Sequence, residues 1–180
     1  MSRKPLSGLM RRGQALVEFT LVGIPMIFVL IGTFEISRGM WIYNTLAYAA
    51  KAGVRYASVH GENCGPPNAN TCTQTIAQLA QVIQDAGIGL DIAKTDVYFM
   101  TLNGDGTVNT TVNCKLRGGC QSNSTIWPPT TDGSNQVGKL IRIDLKAPFI
   151  SALTFFWPGA KGVKFASGNL GASSSDTVKF

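Results

Sequence analysis

Leu16 to Phe34 reads LVEFTLVGIPMIFVLIGTF, and Glu18 is its only charge. The run is close to the ~20 apolar residues that a helix needs to cross a bilayer. Immediately before it stand Arg3, Lys4, Arg11 and Arg12 with no acid among them. Setting those four apart from the 16 bases of the chain leaves 12 bases against 10 acids, so the basic character belongs mostly to the N-terminal flank. Such a flank stays in the cytoplasm by the positive-inside rule, and the remainder is sent across. The run also differs from a cleaved secretory signal. It exceeds the usual apolar stretch of such a signal, and it leads into Glu35-Ile36-Ser37-Arg38 instead of small residues at a cleavage site.

Downstream of Phe34 the apolar pattern changes without a helix breaker. Ile36, Met40, Tyr43, Ala47, Ala50, Val54 and Ala57 recur at spacings of three and four, which predicts an amphipathic helical stripe. Gln14 to Ser58 contains only Pro25 as an interruption, so span and stripe read as one rod of about 65 Å. Pro25 lacks an amide donor and predicts a kink. The small residues Ala47, Ala50, Gly53 and Ala57 permit close approach, either of the chain's own head or of helices from neighbouring subunits.

The rest predicts a small α+β head. Gly61 to Thr73 is a turn-rich loop. Thr73 or Thr75 caps a short helix with an apolar face of Ile76, Leu79, Ala80 and Ile83, ended by Gly87. Asp96 to Leu102 and Thr107 to Asn113 form a hairpin across Asn103-Gly104-Asp105-Gly106. Lys115 to Asn135 reads as a long surface loop containing Trp127-Pro128-Pro129. Lys139 to Ala147 alternates as a half-buried strand that Pro148 ends. Phe149 to Trp157 is an apolar connection, or else a surface touching lipid headgroups or another subunit. A last strand is expected around Val163, Phe165 and Ser167, followed by a frayed tail at Gly171 to Asp176. The expected fold class is therefore α+β: a long N-terminal helix, a short helix and an antiparallel sheet of about four strands.

Cys64, Cys72, Cys114 and Cys120 all lie on the exported side, where two disulfides form readily. Of three connectivities, pairing Cys64 with Cys72 and Cys114 with Cys120 closes two short loops and is favoured. A zinc site would need tighter spacing within each pair. No nucleophile elbow, phosphate loop, dinucleotide fingerprint or metalloprotease motif occurs, and His60 is the single histidine. His60-Gly61-Glu62 reads as a solvated turn, and Asn103, Asp105 and Thr107 as turn chemistry, not as calcium ligands. We expect no enzyme activity, metal or cofactor, and the scattered lysines offer no nucleic-acid surface.

Glu18 remains. It is either a carboxylate snorkelling at the headgroup boundary or an intramembrane acid retained for a purpose. Its setting, RRGQALVEF from Arg11 to Phe19, places it five residues after Gly13 and behind a basic leader. This resembles the type IV prepilin processing signal. Together with Pro25, the FEISR of Phe34 to Arg38 and the YNTLAYAAKAGVRYA of Tyr43 to Ala57, it resembles more narrowly the TadE-like pseudopilins of tight-adherence (Tad) pili, over about Arg11 to Ser58.

The resemblance implies a minor pilin or pseudopilin with a basic leader over 1–13, a long helix over 14–58 that spans the membrane at about 16–34, and an extracytoplasmic head over 59–180. It implies cleavage between Gly13 and Gln14 by a prepilin peptidase, and a role for Glu18 in helix register by pairing with the new amine. The implied partners are that peptidase, other pilins, the assembly platform and the inner membrane. The implied location is a single inner-membrane pass with a cytoplasmic N-terminus, with incorporation into an extracellular pilus. A signal-anchored binding or adhesion module whose leader stays uncut is the alternative.

Overall fold

The computed structural model describes residues 7–61, 74–151 and 167–179, and they divide after Arg38 into two units. Helix α1 runs over Ser7–Ser58, starting ahead of the expected Gln14 and passing through Pro25. Within its apolar run the few hydroxyls are satisfied locally. Thr20 Oγ1 donates to Val17 O at 2.9 Å and Thr33 Oγ1 to Val29 O at 2.8 Å. A helix that meets its own hydrogen-bonding needs in this way can stand in hydrocarbon.

In the second unit, helix α2 spans Ile76–Ala86. Its start is a reciprocal capping box: Thr75 Oγ1 accepts from Gln78 N–H at 3.3 Å, and Gln78 Oε1 accepts from Thr75 N–H at 2.9 Å. Two further unpaired amides of its first turn, on Ile76 and Ala77, donate to Thr125 O and Asn123 O. Ile76, Leu79, Ala80 and Ile83 are the buried face, as the periodicity predicts.

Four strands, β1 (Asp96–Leu102), β2 (Val108–Lys115), β3 (Leu140–Ile150) and β4 (Ser167–Thr177), form an antiparallel sheet in the order β2-β1-β3-β4. Alternation puts Val97 and Phe99 of β1 and Ile143 and Leu145 of β3 on one face, fully buried. That face meets α2 and the last turns of α1. The contact is close enough that a Cβ on Gly53 would lie 2.7 Å from Ile83 Cγ1 and 3.2 Å from Ile143 Cδ1. The opposite face is polar, with Lys115 paired to Asp96 at 2.6 Å, Arg142 to Asp144 at 2.7 Å, and the Lys146 ammonium 4.6 Å from the Tyr98 ring centre. The α+β class with one long helix, one short helix and four antiparallel strands is the architecture observed.

Several local expectations are corrected. The buried stripe of α1 within the head begins at Leu46 and continues through Ala49, Ala50, Val54 and Ala57, while Met40 and Tyr43 are exposed. Strand β3 continues through Pro148 to Ile150 because β1 pairs it only as far as Lys146. At Pro148 the strand has β4 alone beside it, an edge-like position that tolerates a missing amide.

The Gly/Ser-rich C-terminal segment is not a frayed tail but most of β4, paired along the whole of β3. It is tied down further by buried Val178, whose amide donates to Lys139 O, and by Lys179 N–H donating to Ser58 O at 2.8 Å. Main-chain pairing and one apolar anchor outweigh poor strand propensity here. Val163 and Phe165, and most of the Phe149 to Trp157 stretch, lie outside the described residues.

The 115–135 stretch is not purely surface. Trp127 is 1% exposed, its ring centre 5.4 Å from that of Phe99, and its amide donates to Gln74 O. The loop is folded inward at Leu116–Cys120, where Gly118 takes φ of 86°, a left-handed conformation natural to glycine, and where Cys114 and Cys120 are joined. Cys64 and Cys72 lie outside the described residues. His60 is also buried, with its ring 4.5 Å from that of Tyr56 and its Nδ1–H donating to Tyr56 O at 2.6 Å.

Candidate functional site on the N-terminal helix

The residues singled out by their spacing fall on consecutive turns of α1. Gln14 and Glu18 are four positions apart, so one helical turn brings their side chains together: Gln14 Nε2 donates to Glu18 Oε1 at 3.2 Å. Gly13 stands next to them with nothing within 4 Å of the place a Cβ would occupy. All three are exposed. Gly13 and Gln14 are thus exposed neighbours on α1, with a carboxylate one turn from Gln14. Pro25 lies two turns farther along, inside the same helix.

The apolar side chains around these residues are exposed among the described residues. Phe19 is 77% exposed, and Leu16, Val22, Met26 and Leu30 are each more than half exposed. Burying such a surface stabilises by roughly 25 cal/mol per Å², and the helix is long and apolar enough to cross a membrane.

A second acid of the helix, Glu35, escaped the sequence reading as a site residue. It is 6% exposed, and Arg38 Nη1 is 4.0 Å from its Oε1. The FEISR segment contained the signal, because an acid and a base three residues apart share one helical face.

Nothing in the head gathers comparable chemistry among the described residues. Among the described residues no three His, Cys, Asp or Glu side chains are grouped to hold a metal. Asn103, Asp105 and Thr107 bond to one another. The hydroxyl and amide of Thr107 both donate to Asp105 Oδ1 and hold that carboxyl below its ordinary range. Asp132 pins its loop to β2: Thr110 Oγ1 and Asn109 Nδ2 donate to Asp132 Oδ2, and Ser134 N–H donates to Oδ1. Partial burial pushes the Asp132 carboxyl up, but these donors outweigh it and the net shift is downward.

The fold and the site define a class of protein: a small α+β head carried on a helix of membrane-spanning length. Within that class the N-terminal helix is TadE-like, for residues 13–55 match the family model described as TadE-like protein. The match begins at Gly13 and covers the helix that carries Gln14, Glu18, Pro25, Glu35 and Arg38. No curated protein and no solved structure matches the chain.

Proposed function

We propose that this protein is a minor pilin or pseudopilin of a Tad-type pilus, made as a membrane precursor and cut between Gly13 and Gln14 by a prepilin peptidase. The observation that carries the reading is the coincidence of the TadE-like match, beginning at residue 13, with an exposed Gly13 and a Glu18 held one turn from Gln14. The basic flank orients the N-terminus toward the cytoplasm and the head outward.

Cleavage would break the Gly13–Gln14 amide by addition of water, leaving a carboxylate on Gly13 and an amine on Gln14. That amine, protonated, would sit one turn from Glu18 and could neutralise it, in the same subunit or in a neighbour packed in register. A buried charge left without its partner is costly, so a slipped register would be disfavoured. The uncovered apolar surface serves first as anchor and then as packing surface among helices. The head supplies contacts, without catalysis.

The test is the N-terminal sequence of protein recovered from membranes with and without a prepilin peptidase. A mature chain starting at Gln14 only when the peptidase is present supports the proposal. An uncut chain in both cases identifies a signal-anchored module instead. Glu18→Ala should leave the head folded and reduce pilus assembly, and unchanged cleavage and assembly would remove the register role.

A further inference from the structure

The two edges of the sheet are guarded differently. On β2, pairing with β1 is broken by a register shift between Thr101 and Leu102, and Lys115 ends the strand with a charge. Asp132 draws a loop against it through Asn109 and Thr110. Such bulges, charges and coverings keep an edge from pairing with another chain. Among the described residues β4 has none of them. It pairs with β3 without a shift from Ser167 to Thr177, contains no Lys, Arg or Pro, and carries one charge, Asp176, met by Lys179 at 3.1 Å.

The hydrogen bonds at the end of β4 fix which main-chain groups face outward. Val178 N–H donates to Lys139 O, on the β3 side, while Thr177 N–H turns to Asp176 Oδ1. In an antiparallel pair this direction alternates residue by residue. Asn169, Gly171, Ser173 and Ser175 therefore turn both N–H and C=O away from β3, and all four are exposed. Among the described residues none of these amides meets a main-chain acceptor. A row of donors and acceptors repeating every second residue matches one kind of ligand, another extended chain.

Which chain follows from the side chains. β4 matches itself when two copies run antiparallel about Gly171. Asn169 then stands opposite Ser173 of the second copy on the exposed face, and half-buried Leu170 stands opposite Ala172 on the core face. Asp176 falls beyond the paired stretch, so no like charges meet. Shifting the axis to Ala172 or Ser173 would set Leu170 against Ser174 or Asp176, so the side chains also choose the register.

We propose that β4 is a self-association edge: it pairs with β4 of a second copy of this chain, antiparallel about Gly171, and joins two heads through one continuous sheet. The interface lies wholly within the head. It goes beyond the pilin reading, because it requires neither cleavage at Gly13 nor packing of the apolar runs.

The test uses the full chain in detergent micelles with a short bifunctional maleimide, and the wild-type chain sets the background from its own cysteines. Gly171→Cys is accommodated, since a Cβ there meets only Leu145 O at 3.6 Å and Lys146 Cγ at 3.7 Å. It should be converted mostly to crosslinked dimer, severalfold above wild type. Ser173→Cys should crosslink far less, because its two copies stand about 13 Å apart in this register. Thr111→Cys on β2 should stay at background. Ser173→Pro removes an outward N–H and leaves the β3 ladder intact. Added to Gly171→Cys, it should abolish the crosslink while the head's unfolding midpoint holds. Crosslinking of Gly171→Cys no greater than wild type overturns the proposal, as does stronger crosslinking of Ser173→Cys. A crosslink that survives Ser173→Pro in a folded head overturns it too, because the apolar runs then hold the copies together. If Ser173→Pro unfolds the head, the ratio of the two cysteine crosslinks decides.

Discussion

Residues 16–34 and 46–57 belong to one continuous helix, yet they solve opposite problems. The first stretch is built of Leu, Ile, Val, Phe and Met and leaves nearly all of them uncovered; the second uses Leu46, Ala49, Ala50, Gly53, Val54 and Ala57 and buries every one. Large apolar residues suit a diffuse environment such as lipid or the side chains of neighbouring helices. Small ones are needed where a rigid sheet and a second helix come within van der Waals contact. The difference teaches that the bulk of a residue in this helix goes with its burial: large residues fill the exposed, membrane-length stretch, and small ones the stretch packed against the chain's own head.

The strongest way to break the comparison is to truncate one tryptophan on each side of the core boundary. Trp127→Ala empties a fully buried site and should cost about 3–5 kcal/mol of head stability, read from chemical denaturation. Trp41→Ala, on an exposed position, should stay within about 0.5 kcal/mol. Equal effects would mean that Trp41 belongs to the head's core after all.

Next in size is the same substitution at two glycines of α1. Gly53→Val drives a branched side chain into Ile83 and Ile143 and should destabilise the head by about 1–3 kcal/mol. Gly32→Val meets open space and should leave the head's unfolding midpoint unchanged. A smaller loss, about 1 kcal/mol, is expected for Thr75→Ala, which removes the side-chain half of the capping box on α2 and leaves the membrane-length stretch untouched.

The smallest effect is on pH dependence and is confined to the head. Partial burial pushes the Asp176 carboxyl up, but the Thr177 amide, the Lys179 ammonium at 3.1 Å and the Ser58 hydroxyl together hold it below its ordinary value. With the folded value below the unfolded one, the unfolded chain binds more protons in between. This contribution is therefore complete above about pH 4 and is lost as pH falls through the folded value. Asp176→Asn should flatten the acid limb of stability against pH while leaving vesicle flotation unaltered.

Patterns that depend on neighbours in sequence were legible directly. The apolar run, the capped helix at Ile76–Ala86 and the hairpin of β1 and β2 each follow from local periodicity or turn chemistry, and each stands where it was read. The Gly13, Gln14 and Glu18 constellation was legible for the same reason, since all three lie within two turns of one helix. What failed to show were contacts between distant segments. Trp127 sits in a Gly/Ser/Pro-rich stretch whose composition says loop, and only the packing of Phe99 and the bond to Gln74 O draw it inside. His60 looked solvated because its Tyr56 partner counts only once the helix end is folded.

The sequence by itself determined that this protein has a membrane-length helix, a short capped helix and a hairpin, because those depend on interactions spanning a few residues. Tertiary structure alone decided that a run of glycine and serine becomes an eleven-residue strand, and where along α1 burial begins. The physical reason is the same for both. A weak strand former is held by the main-chain ladder of β3 and by Val178, and a helical stripe is buried where the sheet and α2 pack on it.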